Sequence, residues 1–184
     1  MNELYDIDVH TILGKGTFSV VYGGSSKSQP QQQHNQQPNQ QKQQQQHQQR
    51  VAIKCIPKAK LTNLYDIQSL HEEVSILQRL NHKTILTLYN YVNERHFHYL
   101  ITERIDGGEL FDRILQKTVY NEASARALIR NLVLALEYLH DVEQVAHRDV
   151  KPENLILVSR DCDSTVKLVD FGFAKGCCGD DWRG

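Results

Sequence analysis

The first hundred residues alternate between short apolar runs and polar turns, a pattern that predicts β-strands. Each run is four to seven residues long. Several are rich in Val, Ile and Tyr, which fit the pleated surface of a sheet. The predicted strands cover residues 8–13, 19–22, 51–56, 86–92 and 99–102.

One helix is predicted among these strands. Ile67, Leu70, Val74 and Leu77 recur at steps of three and four residues, which marks one apolar face of a helix. Glu73 lies on the same face, so its carboxylate is expected to point inward, where a charge needs a partner.

The second half of the chain is predicted to be mainly helical. Residues 109–115 favour a short helix. Asn121 is a good N-cap for a longer helix, with Glu122 favourable in its first turn, and this helix ends near Asp141. Its expected apolar face consists of Ala125, Leu128, Ile129, Leu132, Val133, Leu136 and Leu139.

Two more short strands, residues 155–157 and 166–169, surround a polar turn at 159–165. Strands therefore dominate the first half and helices the second. This order favours an α+β fold with two small lobes that meet near residues 103–108.

A glutamine-rich tract interrupts the first half. Fourteen of the 21 residues from 29 to 49 are Gln. Such a segment cannot bury enough apolar surface to offset the entropy of ordering, so we expect it to be disordered. The alternative is a segment that self-associates through its glutamines.

Composition excludes several other classes of protein. The formal net charge is −1 over 184 residues, which gives no reason to expect nucleic acid or an anionic membrane as partner. The four cysteines lack paired metal-ligand spacing, and no apolar run resembles a signal region or a membrane span. We therefore expect a cytoplasmic protein with reduced thiols, with the nucleus as the alternative location.

The strongest chemical signal is the run His-Arg-Asp-Val-Lys-Pro-Glu-Asn at 147–154, followed by Asp-Phe-Gly at 170–172. Asp149 can accept a hydroxyl proton, and Lys151 can neutralise charge on a moving phosphoryl group. Asn154 and Asp170 offer hard oxygen atoms that suit Mg²⁺.

Two weaker signals lie upstream. The turn between the first two predicted strands holds Gly14 and Gly16, which allow backbone amides to approach phosphates closely. Lys54 ends the apolar run Val-Ala-Ile-Lys, and a buried lysine there needs an acid, for which Glu73 is the candidate.

Together these residues resemble those of eukaryotic protein kinases, over residues 6 to about 175. The motif with lysine at position 151 resembles the corresponding motif of serine/threonine kinases. The runs Gly-Gly-Glu-Leu-Phe-Asp-Arg-Ile at 107–114 and Asp-Phe-Gly-Phe-Ala-Lys at 170–175 resemble the calcium/calmodulin-dependent kinase group.

The resemblance implies ATP and Mg²⁺ as cofactors, Thr102 behind the adenine, and a protein substrate. Glu109, and also Glu153, would favour basic residues near the target Ser/Thr. Asp149 and Lys151 would be catalytic, and Asn154 and Asp170 would bind the metal. The nucleotide-binding residues would be Leu13, Gly14, Lys15, Gly16, Thr17, Phe18, Ser19, Val20, Val21, Ala52, Lys54, Glu73, Glu103, Ile105, Glu109 and Leu157.

Within this set, Glu103 and Ile105 would present the hinge backbone to the adenine edge. Val21, Ala52 and Leu157 would enclose the ring, and Glu109 would face the ribose or a basic substrate residue.

The resemblance also implies a domain plan. A β-rich N-lobe with one major helix would comprise residues 1–28 and 50–102, with the tract at 29–49 inserted into it. A hinge at 103–108 would lead to a partial, mainly helical C-lobe at 109–175 and an unassigned tail at 176–184. The Ala-Pro-Glu motif and later helices of the family are not in the sequence, so we expect an incomplete C-lobe.

Three functions stay open at this stage. The first is phosphorylation of protein serine or threonine by ATP. The second is a nucleotide-binding pseudokinase or scaffold, or a kinase fragment without activity. The third is an interaction segment built on the glutamine-rich tract.

Overall fold

The computed structural model describes residues 1, 3–27, 48–117 and 119–177. The predictions made for residues 29–47 of the glutamine-rich tract and for residues 178–184 of the tail lie outside this part of the chain.

A five-stranded antiparallel sheet forms the N-terminal lobe, and its strand order is β1-β2-β3-β5-β4. All five predicted strands are confirmed. Four are longer than predicted, because ladder hydrogen bonding continues past the apolar runs. The strands are β1 (Tyr5–Lys15), β2 (Val20–Ser26), β3 (Arg50–Pro57), β4 (Leu88–Asn93) and β5 (Phe97–Glu103).

Helix α1 (Leu64–Arg79) packs on one face of this sheet. It begins at the N-cap Asn63, whose Oδ1 accepts a hydrogen bond from the Asp66 amide at 2.8 Å. Its buried residues include Glu73, so the inward orientation predicted for this acid is confirmed. The opposite face of the sheet holds a smaller apolar cluster, with Val51, Ile53 and Cys55 of β3 at its centre.

The described part of the second lobe contains two α-helices and two small two-stranded sheets. Helix α2 covers Leu110–Gln116, and helix α3 covers Glu122–Glu137 and continues as a π-helical turn, Tyr138–Val142. Asn121 caps α3 as predicted: its Oδ1 accepts from the amides of Ala123 and Ser124 at 2.9 and 3.2 Å. The strands are β6 (Val145–Ala146), β7 (Leu155–Ser159), β8 (Cys162–Leu168) and β9 (Lys175–Gly176), with β6 paired to β9 and β7 to β8.

One apolar cluster joins the two lobes. It includes Leu70 and Leu77 of α1, Leu132 of α3 and Phe171, which lies between the lobes. The predicted apolar face of α3 is only partly buried: Ile129 and Val133 are 54% and 55% exposed. The residues of α3 that reach the core lie on the side that packs against β8.

The architecture is that of the predicted α+β fold, with a β-rich lobe carrying one major helix and a mainly helical second lobe. In the described ranges, no helix is both long and apolar enough to cross a membrane.

Candidate active site

The glycine-containing turn closes between β1 and β2. The Gly16 amide donates to the Ser19 carbonyl at 2.9 Å, and Lys15 pairs with Val20 at the end of the ladder. A Cβ on Gly16 would lie only 3.3 Å from the Ser19 Oγ, so glycine suits this tight turn. The residues at its tip, Thr17 and Phe18, are exposed.

Lys54 and Glu73 form the ion pair that the sequence predicts. The Lys54 Nζ lies 2.7 Å from a carboxylate oxygen of Glu73, which joins β3 to α1. Burial lowers the pKa of Lys54, but the charge and hydrogen bond of Glu73 and the charge of Asp170 outweigh it. The net effect is a pKa above the ordinary value for lysine, so Lys54 carries its charge at neutral pH.

A second charged cluster lies in the loop that contains Asp149. Both carboxylate oxygens of Asp149 accept from the Lys151 Nζ, at 3.1 and 2.8 Å. The Asn154 Nδ2 also donates to Asp149, to its Oδ2 at 2.9 Å and to its main-chain oxygen at 2.8 Å. The Lys151 hydrogen bond is the main cause of a lowered Asp149 pKa, so this carboxylate is ionised at neutral pH and can accept a proton.

A buried histidine supports this loop from below. The Nδ1 of His147 accepts from the Asp149 amide at 3.3 Å, and its Nε2 lies 3.2 Å from the Val169 carbonyl. Burial lowers the pKa of His147, which agrees with a neutral ring that carries its proton on Nε2. The ring also packs edge-on against Phe171, with centroids 4.7 Å apart. His147 thereby connects the Asp149 loop to the Asp170 segment.

Asp170 is held next to the same loop. The Val169 amide donates to the Asn154 carbonyl at 3.0 Å, which places the two predicted metal ligands on adjoining segments. Asp170 has a positive φ of 60°, a conformation that Asp tolerates better than most residues. Its Oδ1 accepts from the Gly172 amide at 3.3 Å, and a Cβ on residue 172 would lie 3.2 Å from that oxygen.

These two residues fit a magnesium ion by donor chemistry. Asp170 offers a carboxylate, and Asn154 offers its amide oxygen, because its Nδ2 is already committed to Asp149. Hard oxygen donors of this kind, completed by phosphate and water oxygens, are the set that Mg²⁺ prefers.

The linker after β5 forms one wall of the cleft between the lobes. Thr102 is buried and donates from its Oγ1 to the Glu103 carbonyl at 3.2 Å. Across the sheet Ala52 pairs with both Thr102 and Gly23, so the predicted adenine residues of β3 and β5 are neighbours. Val21 pairs with Lys54 on the same ladder, closer to the glycine turn.

Leu157 does not have the place that the sequence analysis gives it. Its side chain is 0% exposed and packs in the core, so it does not line the cleft. The half-buried neighbour Ile156 points to the opposite face of β7. In the hairpin Ile156 pairs with Lys167, whose Nζ reaches Glu103, so Ile156 shares the face directed at the linker.

Ile156 is therefore a candidate residue of the cleft that the sequence analysis does not name. The signal was the alternation of side chains along β7, since Leu155 and Leu157 share the core-facing side.

Glu109 opens onto a separate cavity of about 350 Å³. It is exposed at the N-terminus of α2, and its neighbours in the cavity include Asp112. Two arginines in the lining already have acceptors: Arg113 pairs with Asp163 at 2.6 Å, and Arg160 donates to the Asp106 carbonyl at 3.4 Å.

Comparisons with known proteins agree with this geometry. A family model described as the protein kinase domain matches residues 7–180. The calcium/calmodulin-dependent protein kinase type 1 of Caenorhabditis elegans is 38% identical over 175 residues, which are 95% of this chain and 44% of that protein. Myosin light chain kinase A of Dictyostelium discoideum is 39% identical over 163 residues, 89% of this chain and 48% of that protein.

A third relative, calcium-dependent protein kinase 5 of Plasmodium falciparum, is 33% identical over 177 residues, 96% of this chain and 27% of that protein. The chain thus spans less than half the length of each of these relatives. It belongs to the protein kinase family. Within that family its relatives place it in the calcium/calmodulin-dependent kinase-like group of the serine/threonine branch.

Proposed function

We propose that this chain binds Mg-ATP in the cleft between its lobes and transfers the γ-phosphoryl group to serine or threonine hydroxyls of a protein. The cluster of Asp149, Lys151 and Asn154 carries this proposal, because it places a base, a cation and an amide oxygen within one hydrogen-bonded loop. The Asn154 carbonyl ties that loop to the segment of Asp170.

The residues of the N-terminal lobe would hold the nucleotide. Lys54, fixed by Glu73, would bind the α- and β-phosphates, and the amides of residues 14–19 would lie over them. Glu103 and Ile105 would bind the adenine edge through their backbones. We place Ile156, rather than Leu157, opposite Val21 and Ala52 around the adenine ring.

In the transfer step, Asp149 would accept the proton of the substrate hydroxyl while that oxygen forms a bond to the γ-phosphorus. The bond from this phosphorus to the β,γ-bridging oxygen breaks, and ADP leaves. Lys151, at 2.8 Å from Asp149, would stabilise the negative charge on the moving group. Bound Mg²⁺, held by Asn154 and Asp170, would supply further charge neutralisation at the phosphates.

The proposed substrates carry basic residues near the target hydroxyl. Glu109 and Asp112 present carboxylates in the cavity beside the linker, whereas the arginines there are paired with other residues. Glu153, in the 3₁₀ turn after Lys151, is exposed as well. Among the described residues, no side chain pairs with the carboxylates of Glu109 and Asp112, so a substrate arginine or lysine would find negative charge there.

A transfer assay tests the proposal. The purified chain is incubated with γ-labelled Mg-ATP and a serine peptide that contains upstream arginines, beside an Asp149→Asn variant. We expect label in the peptide at a rate at least about 100-fold above the variant, since a general base contributes roughly 10²–10⁴-fold. Equal rates would refute transfer by this chain.

Thermal unfolding separates binding from transfer. Mg-ATP at 100 times its dissociation constant should stabilise the fold by about 2.7 kcal/mol, which is several degrees for a domain of this size. The shift should be smaller for Lys54→Met. Stabilisation without transfer would mean a nucleotide-binding scaffold, and no stabilisation would refute nucleotide binding too.

A further inference from the structure

A mostly buried lysine on β8, Lys167, contacts the beginning of the linker between the lobes. The Lys167 Nζ donates to the Glu103 Oε1 at 2.6 Å and to the Ile85 carbonyl at 3.1 Å. The same Glu103 oxygen accepts from the Thr87 amide at 2.7 Å. The side chains of Lys167 and Glu103 are only 13% and 19% exposed, so water screens this pair weakly.

The backbone around the pair is bonded into one unit. The Glu103 amide donates to the Thr87 carbonyl at 3.0 Å. On the other side, the Leu168 amide donates to the Thr84 carbonyl at 2.7 Å, and its carbonyl accepts from the Leu86 amide at 3.0 Å. Backbone hydrogen bonds therefore connect residues 84–87 both to the end of β5 and to the end of β8.

The location of this unit connects two parts of the proposed site. Glu103 supplies one of the backbone groups proposed to bind the adenine edge. Lys167 lies three residues before Asp170, on the strand that leads to the proposed metal ligand. A shift of the Glu103 side chain would therefore disturb the linker backbone at the adenine edge, whereas β8 stays in place through its pairing with β7 and the backbone hydrogen bonds of Leu168.

We propose that Lys167 is a positioning residue that fixes the linker backbone for adenine through the Glu103 carboxylate. This inference rests on the proposed nucleotide-binding function. A buried ion pair contributes little net stability compared with apolar residues of similar size, although loss of one partner is costly. We accordingly expect this pair to fix the conformation of the linker and to add little to the stability of the fold.

The test uses the full chain and four variants: Lys167→Met, Glu103→Leu, the two changes combined, and Arg126→Met as a control. Arg126→Met removes one positive charge, as Lys167→Met does. The ion pair that it breaks, with Glu122, lies on the exposed surface of α3. Each protein is titrated with Mg-ATP, with adenosine and with Mg-tripolyphosphate by displacement of a fluorescent ATP analogue. Thermal unfolding is recorded in parallel.

We expect Lys167→Met to lower the affinity for adenosine and for Mg-ATP by the same factor. That factor should be about tenfold, which corresponds to about 1.4 kcal/mol of binding free energy. Binding of Mg-tripolyphosphate should stay unchanged, since the phosphate-binding residues are not touched. Arg126→Met should bind all three ligands like the wild type.

The double variant separates positioning from stability. It leaves no unpaired buried charge, so its unfolding temperature should recover relative to the single variants, while adenosine binding stays weak. Recovery of adenosine binding together with stability would overturn the inference and leave a structural role only. An unchanged adenosine affinity in a folded Lys167→Met variant would also overturn it. A wild-type chain that binds no nucleotide would refute the proposed function and, with it, this inference.

Discussion

Cys162 is the thiol in the described chain whose surroundings most favour the thiolate. Its Sγ lies 3.3 Å from the Ser164 Oγ and 3.6 Å from the Thr165 Oγ1. The hydrogen bonds that Cys162 shares with Ser164 and Thr165 lower its pKa to about 7, whereas burial raises the pKa of Cys55 to about 11.

We therefore predict that iodoacetamide alkylates Cys162 well before Cys55 at about pH 7, because the thiolate is the reactive form. Peptide mass spectrometry over a time course measures both rates. Replacing Ser164 with Ala and Thr165 with Val removes both hydrogen-bond partners, raises the Cys162 pKa and should slow its alkylation at neutral pH. Equal rates for Cys162 and Cys55 in the folded wild type would contradict the prediction.

The Lys54–Glu73 pair gives a second prediction at the scale of residues. Lys54→Met leaves the buried Glu73 carboxylate without its cation, which should lower the free energy of unfolding by about 3–5 kcal/mol. Lys54→Met combined with Glu73→Met should recover most of this loss. Urea unfolding measures both, and a double variant as unstable as the single one would argue against the pair as the cause.

The pH dependence of this stabilisation follows from the sign of the shift. The folded-state pKa of Lys54 is raised, so its contribution is complete below the ordinary lysine pKa of about 10.4 and is lost as pH rises through the raised value. The stability difference between the wild type and the double variant should therefore be constant through neutral pH.

Some of these residues can be predicted from the sequence and others cannot. Lys54 and Glu73 were paired correctly, because an inward-facing acid on a helix and a lysine on a buried strand each require a partner. Lys167 was not recognised, since its acceptors at Glu103 and Ile85 are distant in sequence and nothing local marks them. Leu157 was named for the adenine ring and Ile156 was not considered, because the direction of a side chain on a short strand depends on its pairing.

At the scale of elements, the linker depends on a close approach at Gly107. A Cβ at this position would lie 2.0 Å from the Leu157 carbonyl oxygen and 2.8 Å from the Ser159 nitrogen. The following carbonyl, that of Gly108, accepts from the Leu157 amide at 2.9 Å. The backbone of the linker therefore packs in direct contact with the backbone of β7.

We predict that Gly107→Ala separates the linker from β7 and lowers the free energy of unfolding by at least about 1–3 kcal/mol, the usual cost of overpacking. Gly176→Ala is the matched control, because a Cβ there meets no atom within 4 Å. Thermal unfolding of both variants provides the measurement. A Gly107→Ala variant as stable as Gly176→Ala would show that the linker can move away without cost.

The elements themselves were predictable where the apolar pattern was long enough. All five strands of the large sheet and the three helices were found. Strands β6 and β9 were missed, since two residues each carry no periodicity. Strand β8 begins at Cys162 and not at residue 166, because its polar start is held by partners from elsewhere in the chain: Arg113 and Lys117 pair with Asp163.

At the scale of the whole molecule, the partly exposed face of α3 should tolerate charge. Ile129 and Val133 are more than half exposed, whereas Leu132 is 8% exposed and packs in the core. We predict that Ile129→Lys with Val133→Lys changes the free energy of unfolding by at most about 1 kcal/mol, since each surface change usually contributes about 0.5 kcal/mol.

Leu132→Ala, on the same helix, should lower the free energy of unfolding by about 2–5 kcal/mol. Urea unfolding of the two variants makes the comparison. A large loss in the lysine variant would mean that this face is buried in solution.

The apolar cluster that joins the lobes leads to a prediction about cooperativity. Leu77 of α1, Leu132 of α3 and Phe171 belong to one continuous core, and the Lys54–Glu73 and Lys167–Glu103 pairs link separate elements across it. Neither lobe can then lose its packing without exposing apolar surface of the other.

We predict that the slowest amides of α1 and α3 exchange with the same free energy of opening, and that Mg-ATP raises both values equally. Hydrogen exchange followed by mass spectrometry measures the two helices in one sample. Slower exchange in α3 than in α1, or a rise confined to α1 with Mg-ATP, would show that the lobes unfold independently and that the shared core does not couple them.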